Sequence, residues 1–144
     1  MGNNFSDNNT GRSSVTSRRR LYADLPLAFS VHPNTQDVPS LKDLDAVKQS
    51  VRNLVLTGFT ERPFQPRIGT GITSLLFDPA DPFTEMAIKD EIVRVLEEYE
   101  PRANNIYVEV IDSSDQNAYQ INIQFDGMIS NQREEINFYL ERTR

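Results

Sequence analysis

The sequence predicts an α+β domain in which two main helices pack on one face of a small antiparallel sheet. Three observations carry this. Apolar residues recur at helical spacing in two separate segments, between Leu41 and Val55 and between Ile88 and Tyr99. The period then switches to two, with Ile106, Val108 and Val110 followed by Tyr119, Ile121, Ile123 and Phe125. The last stretch repeats the alternation, with Ile136, Phe138 and Leu140 set against Asn137, Tyr139 and Glu141.

In chain order, residues 1–20 are rich in Asn, Ser and Thr and nearly devoid of apolar side chains, so they cannot bury enough surface to offset the entropy of ordering. They read as a disordered basic arm, and residues 21–144 as one domain. From 21 to 31 the chain is apolar but holds Pro26, which suits an extended or edge segment. The first helix is expected to start behind Ser40 as N-cap, with Asp43 in its first turn, and to run to about Thr57 before Gly58. Residues 61–71 hold two prolines and two glycines and read as a constrained loop, followed by a short helical turn over 72–77. In the second helix Ile88, Ile92, Val95, Leu96 and Tyr99 form one stripe, and the spacing of Glu85 with Lys89 and of Asp90 with Arg94 predicts ion pairs. Pro101 ends it. Residues 113–118 supply the turn of a hairpin.

Composition narrows the chemistry. The 144 residues fit one ordinary domain. With no Cys, disulfides, thiolate metal sites and cysteine nucleophiles are excluded, and one His rules out a site that needs two imidazoles. No run approaches a membrane span, and the first residues do not form a secretion signal, so a soluble chain is expected. The net charge is −6, with +3 on the arm from four arginines against Asp7. Between positions 78 and 115 eleven acidic residues face Lys89, Arg94 and Arg102, which argues against a nucleic-acid surface. Arg18, Arg19 and Arg20 would either grip an acidic partner subunit or nucleic acid, or simply be solvated, which is the commoner state of a short basic run at a disordered end. The loop at 61–71 lacks the Lys and Ser or Thr of a phosphate loop.

Carboxylates are the only catalytic raw material in quantity. A glycosidase needs two carboxyl groups ~5–9.5 Å apart, one of them in an apolar pocket that raises its pKa. Glu91, Glu97, Glu98 and Glu100 instead read as part of a solvated helix face. Asp78, Asp81 and Asp90 lack the spacing of a cation-binding loop, His32 is a loop histidine, and the 113–115 triplet is a turn. No catalytic residue, cofactor site or metal site is expected. One local rule is broken: Glu97, Glu98 and Glu100 crowd a helix C-terminus, against the macrodipole. Either Arg102 bonds the free carbonyls there and neutralises the acids, or a rigid Glu-Pro-Arg corner offers an acceptor and a planar donor fork to a partner chain.

At this corner the chain resembles a known family. Tyr99-Glu100-Pro101-Arg102, closing a helix and opening a hairpin, is similar to the Glu-Pro-Arg signature of the baseplate wedge and sheath-initiator proteins of contractile-tailed phages, a family that includes the corresponding subunit of type VI secretion baseplates. Glu61-Arg62-Pro63-Phe64-Gln65-Pro66 with Gly69, and the short helix after it, resemble the family's loop at the same distance before the signature. Tyr99 stands where many members have Trp, and Ile68 where an aromatic is common.

The resemblance implies a non-enzymatic subunit of the virion tail baseplate, assembled in the host cytoplasm. Its fold would resemble a tail-sheath handshake domain. Glu100, Pro101, Arg102 and Arg62 would contact the long-helix bundle of neighbouring wedge subunits, and the strand-rich end would template the first ring of tail sheath protein. No membrane, nucleic acid or small-molecule substrate is implied. Some members have carried a lysozyme label, so a tail-associated peptidoglycan glycosidase is the alternative. The segment from 135 to 142 reads independently as an interaction strand: Asn137 and Tyr139 leave its edge uncharged, no Pro interrupts it, and nothing follows to cover it. Replacing Glu100 or Arg102 by Ala is expected to leave the domain folded and to impair assembly.

Overall fold

The computed structural model describes residues 22–113, 115, 117–128 and 132–142. The arm therefore lies outside the described residues. Two short strands, β1 (Ala23–Asp24) and β2 (Leu41–Lys42), pair antiparallel. Helices α1 (Leu44–Leu56), α2 (Ile72–Leu75) and α3 (Pro82–Tyr99) follow. The chain then forms β3 (Ala103–Ser113), β4 (Ala118–Gly127) and β5 (Arg133–Glu141), an antiparallel sheet in the order β3-β4-β5. The α+β class, the hairpin and the third strand are as the sequence predicts.

Strand alternation builds the core. Val108, Ile123 and Ile136 lie side by side in register, as do Val110, Ile121 and Phe138, so one sheet face is apolar across all three strands. The α3 stripe of Ile88, Ile92, Val95 and Leu96 is fully buried in the same cluster, together with Val47, Val51, Leu54 and Val55 of α1. Each such side chain contributes about 1.5–3 kcal/mol by leaving water. Helix α3 lies along β3, whereas α1 packs on α3 and β2 and reaches the sheet through Lys48, whose Nζ is 2.6 Å from Glu134.

Helix α3 starts at Pro82, six residues before the first member of its apolar stripe. Asp81 is the N-cap, its side chain accepting the Thr84 N–H at 2.7 Å, and Pro82 fills the first helical position, where a missing N–H costs nothing. Helix α1 does not start behind Ser40. Leu41 and Lys42 are held in the ladder with Asp24 and Ala23, and the Asp43 N–H donates to the Tyr22 carbonyl at 3.0 Å, so the helix begins at Leu44 with Asp43 as its N-cap residue. The expected ion pairs on α3 are also replaced. Arg94 binds Glu91 and Glu98 rather than Asp90, and Lys89 sits with its Nζ 5.6 Å from the centre of the Tyr107 ring rather than on Glu85. The helical turn after the loop is shorter than expected, ending at Leu75.

The segment 57–71 is stitched to the end of α1. The Thr57 N–H and hydroxyl both donate to the Asn53 carbonyl, the Thr70 N–H donates to the Thr57 carbonyl at 2.8 Å, and the Thr70 hydroxyl donates to the Val55 carbonyl at 3.0 Å. Thr70 is buried, and these bonds satisfy carbonyls that a helix end would otherwise leave open. The close approach needs Gly69. Its φ is +143°, and a Cβ there would stand 2.7 Å from the carbonyl oxygens of both Thr57 and Gly58.

At the other end of the sheet Arg142 secures β5. Its N–H donates to the Asn117 carbonyl at 2.9 Å, its guanidinium binds Asp112 at 2.8 Å, and its Cζ lies 4.4 Å from the centre of the buried Tyr119 ring.

Gly69→Ala should cost about 3 kcal/mol in urea unfolding, because backbone strain and two carbonyl clashes coincide. Gly71→Ala, whose Cβ would come no closer than 3.4 Å to a neighbouring ring carbon, should stay within about 1 kcal/mol of the parent. Equal effects at the two positions would refute this account of the loop.

Candidate partner-binding site

The corner between α3 and β3 departs from a solvated helix end. Glu100 is the C-cap residue of α3, and its N–H completes the helix by donating to the Leu96 carbonyl at 2.9 Å. Its side chain is only 1% exposed. The expectation that Glu100 belongs to a solvated face is therefore wrong: Pro101 turns the chain back over the helix end, and Glu100 points inward beside Ser50 of α1. The buried charge is answered from two residues away. Arg102 donates through Nε to Oε1 at 2.5 Å and through its terminal nitrogen to Oε2 at 2.6 Å, a planar fork on a carboxylate.

Arg102 thus neutralises an acid of the helix end without bonding the helix carbonyls. Burial pushes the Glu100 carboxyl up, but the Arg102 fork, the Ser50 hydroxyl and the Arg102 charge together hold it below the ordinary glutamate value. The outer side of the guanidinium lies over the Tyr22 ring, 5.0 Å from its centre.

A groove of about 370 Å³ opens here, and Arg62, Glu100, Pro101 and Arg102 all line it, with Ser50, Ile68 and Tyr99 completing its walls. Four of the six residues expected to bind partners are brought together. The Arg62 side chain makes no hydrogen bond or ion pair among the described residues, so its guanidinium is free to take an acceptor from outside. Asn137 and Tyr139 lie elsewhere. They are on the outward face of β5, in register with Asn122 and Gln120, away from the end of the sheet where Ala103 and Gly127 adjoin the corner. Tyr139 is 57% exposed.

Sequence reasoning missed two supports of this site. Glu91 is not a solvated acid: its Oε1 accepts the Gly71 N–H at 2.8 Å and the Arg94 guanidinium at 2.8 Å, so it ties the loop that carries Arg62 to α3. The Arg94 contact lowers its proton affinity first, against burial, and the Gly71 N–H adds to it. The spacing of Glu91 and Arg94 signalled the pair, but nothing in the sequence signals a backbone partner 20 residues away. Tyr22, the face on which Arg102 lies, carried no signal at all. Glu97 and Glu98 are exposed, Asp81 is the helix cap already described, and His32 accepts a local N–H from Asn34.

The sequence profile of the family described as baseplate wedge protein gp25 matches residues 42–133, which runs from β2 through the loop, the corner and the hairpin to the start of β5. The chain belongs to this family. Baseplate wedge protein gp25 of Enterobacteria phage T4 is 28% identical over 106 residues, which cover 74% of this chain and 80% of the phage protein.

Among solved structures, a protein from Geobacter sulfurreducens named as a tail lysozyme shares the fold with a TM-score of 0.63 at 22% identity, over 68% of this chain and 89% of that one. A chain of the type VI secretion system baseplate complex aligns with a TM-score of 0.53 at 16% identity, over 66% of this chain and 91% of that one. As a baseplate wedge protein, the chain is a structural component of the tail baseplate. No helix among the described residues is long and apolar enough to cross a membrane.

The buried fork changes what truncation should do. Arg102→Ala leaves Glu100 buried and unpaired and should cost about 3 kcal/mol, so loss of stability is now expected beside any loss of assembly. Glu100 has a depressed pKa in the fold. Its contribution is therefore complete above the ordinary glutamate value of 4.5 and is lost as pH falls through the lower folded value. Glu100→Gln should be less stable at neutral pH and should lose part of the acid dependence. Urea midpoints measured across that range that fall in parallel for parent and Glu100→Gln would contradict this.

Proposed function

We propose that the chain is a non-enzymatic wedge subunit that grips the long-helix bundle of neighbouring wedge proteins at the Glu-Pro-Arg corner and offers the edge of β5 to the first ring of sheath. The observation that carries the reading is the corner itself. Glu100 spends its charge inside the chain to hold the Arg102 plane at the mouth of a groove, and Arg62 stands in the same groove with no acceptor of its own. Glu100 acts here as the clamp, and Arg62, Pro101 and Arg102 as the contact surface.

Family membership supplies the setting, and the baseplate assembly to which a structural neighbour belongs is consistent with a role among other wedge subunits. For the sheath, β5 is an edge strand whose outward Asn137 and Tyr139 are uncharged, which makes strand addition the favoured mode.

The glycosidase reading finds little to work with. It needs a carboxyl held protonated in an apolar pocket, whereas Glu91 and Glu100, the glutamates whose proton affinity departs from the ordinary value, both depart downward beside an arginine. The lysozyme name of one neighbour attaches to a shared fold at 22% identity.

Arg62→Ala removes no side-chain bond among the described residues, so its thermal midpoint should match the parent while its incorporation into reconstituted wedges falls at least tenfold, about 1.4 kcal/mol or more. Normal incorporation would sink the corner as a contact. Pro at position 137 or 139 should yield baseplates that form and do not start sheath, and sheath of normal length on such particles, seen by electron microscopy, would remove β5 from the proposal.

A further inference from the structure

The loop that brings Arg62 to the corner is built more rigidly than a simple connection requires. Arg62 to Gln65 form one β-turn, closed by the Gln65 N–H on the Arg62 carbonyl at 3.2 Å, and Gln65 to Ile68 form a second, closed by the Ile68 N–H on the Gln65 carbonyl at 3.1 Å. Each turn has a proline at its second position, Pro63 and Pro66, where the fixed φ of the ring is already that of the turn. The Thr60 N–H donates to the Pro66 carbonyl at 3.0 Å and pins the neck of the loop, and the Tyr99 hydroxyl donates to the Arg67 carbonyl at 3.4 Å and ties it to the end of α3. Thr60 itself holds a φ of 70°, a conformation that a β-branched residue resists. Strain of this kind persists only where the surroundings impose it, and it gathers at functional surfaces.

Phe64 stands at the tip, as the third residue of the first turn. It is 97% exposed, more than any other large apolar side chain among the described residues. A lone aromatic on a surface is ordinary. This one is held out by a turn with few alternative conformations, two residues from a cation without an acceptor. Arg62 is only partly exposed, so its guanidinium has given up part of its water with no bond in return. The two acids that line its groove are engaged elsewhere: Glu100 holds Arg102, and Asp24 accepts the Leu25 N–H at 2.8 Å.

We propose that residues 60–66 are a preformed finger, which sets Phe64 into an apolar pocket of a neighbouring wedge subunit while Arg62 takes a carboxylate at the rim of that pocket. The inference rests on the corner being a wedge contact and names the chemistry of the surface met there. A planar donor fork matches a carboxylate, and a net charge of −6 on the whole chain disfavours a nucleic-acid phosphate as the acceptor. Aromatic and arginine side chains dominate the energetics of interfaces, and a loop ordered before contact loses little freedom on binding.

The test adds the full chain to wedges reconstituted from the neighbouring subunits alone and titrates its incorporation. Neither side chain has a partner within the described residues, so thermal midpoints should equal the parent's for every variant. Phe64→Ser should weaken incorporation about tenfold or more, whereas Phe64→Leu, which still fills an apolar pocket, should stay within about threefold. Arg62→Glu should be weaker still than Arg62→Ala, because it sets two acids face to face. Changing one Asp or Glu of the neighbouring subunit to Lys should then restore incorporation of Arg62→Glu about tenfold or more while weakening that of the parent chain.

Normal incorporation of Phe64→Ser beside defective Arg62→Ala overturns the finger and leaves the corner as a contact. Normal incorporation of both overturns the two together. If Arg62→Glu is rescued by no acid-to-Lys change in the neighbouring subunit, the carboxylate acceptor is wrong and the proposal falls.

Discussion

A buried carboxylate at a helix C-terminus is the constraint around which this molecule is arranged. Left alone, Glu100 would face the negative end of the α3 dipole and lose its water, two costs of the same sign. The Arg102 fork offsets both, and it can do so because Pro101 reverses the chain in the space of one residue. The consequences spread outward from there. Arg102 must stay near the helix end, so β3 has to leave α3 at that point and run back along it. Ser50 must face the carboxylate, which sets how α1 lies on α3. The Met128 N–H then donates to the Arg102 carbonyl at 3.1 Å, which ties the end of β4 to the same corner.

The loop between α1 and α2 is governed by similar means. Side chains meet backbone groups at both of its ends: Glu91 of α3 accepts the Gly71 N–H, and Thr70 bonds the last turn of α1. The Arg94 guanidinium, held by Glu91 and Glu98, lies 5.7 Å from the centre of the Phe59 ring and covers the loop from the α3 side. Glu91 and Glu100 are therefore structural members of this fold, each held by an arginine.

What the sequence revealed follows the range of the forces involved. The α3 stripe and its end before Pro101 are local patterns, and the structure reproduces them. The expected start of α1 is three residues early because Leu41 and Lys42 answer to Asp24 and Ala23, and pairings across 17 and 19 positions leave no periodic trace. The site was legible as a motif and illegible as an environment. Glu100 and Arg102 stood out by type and spacing, yet whether the acid was wet or dry depended on Ser50 and the packing of α1. Arg94 shows the same limit in miniature, since four carboxylates stand at helical spacing from it and only side-chain geometry chooses Glu91 and Glu98 over Asp90 and Glu97.

The strand arrangement also has a mechanical meaning. β4 is antiparallel to both its neighbours, so β3 and β5 run in the same direction and each has one free side. A pull on β5 along its own axis loads all nine of its paired positions with β4 at once, whereas a pull across the sheet opens them one after another from an end. The Arg142 clamp closes the end from which such peeling would otherwise begin, while at the opposite end Arg133 reaches Asp126 only at 3.5 Å. The sheet is thus strong in shear: Arg142 guards its C-terminal corner against tearing, and at the other end the hairpin connection itself, the Gly127 N–H on the Gln132 carbonyl at 3.2 Å and the Lys48–Glu134 pair hold β5 in place.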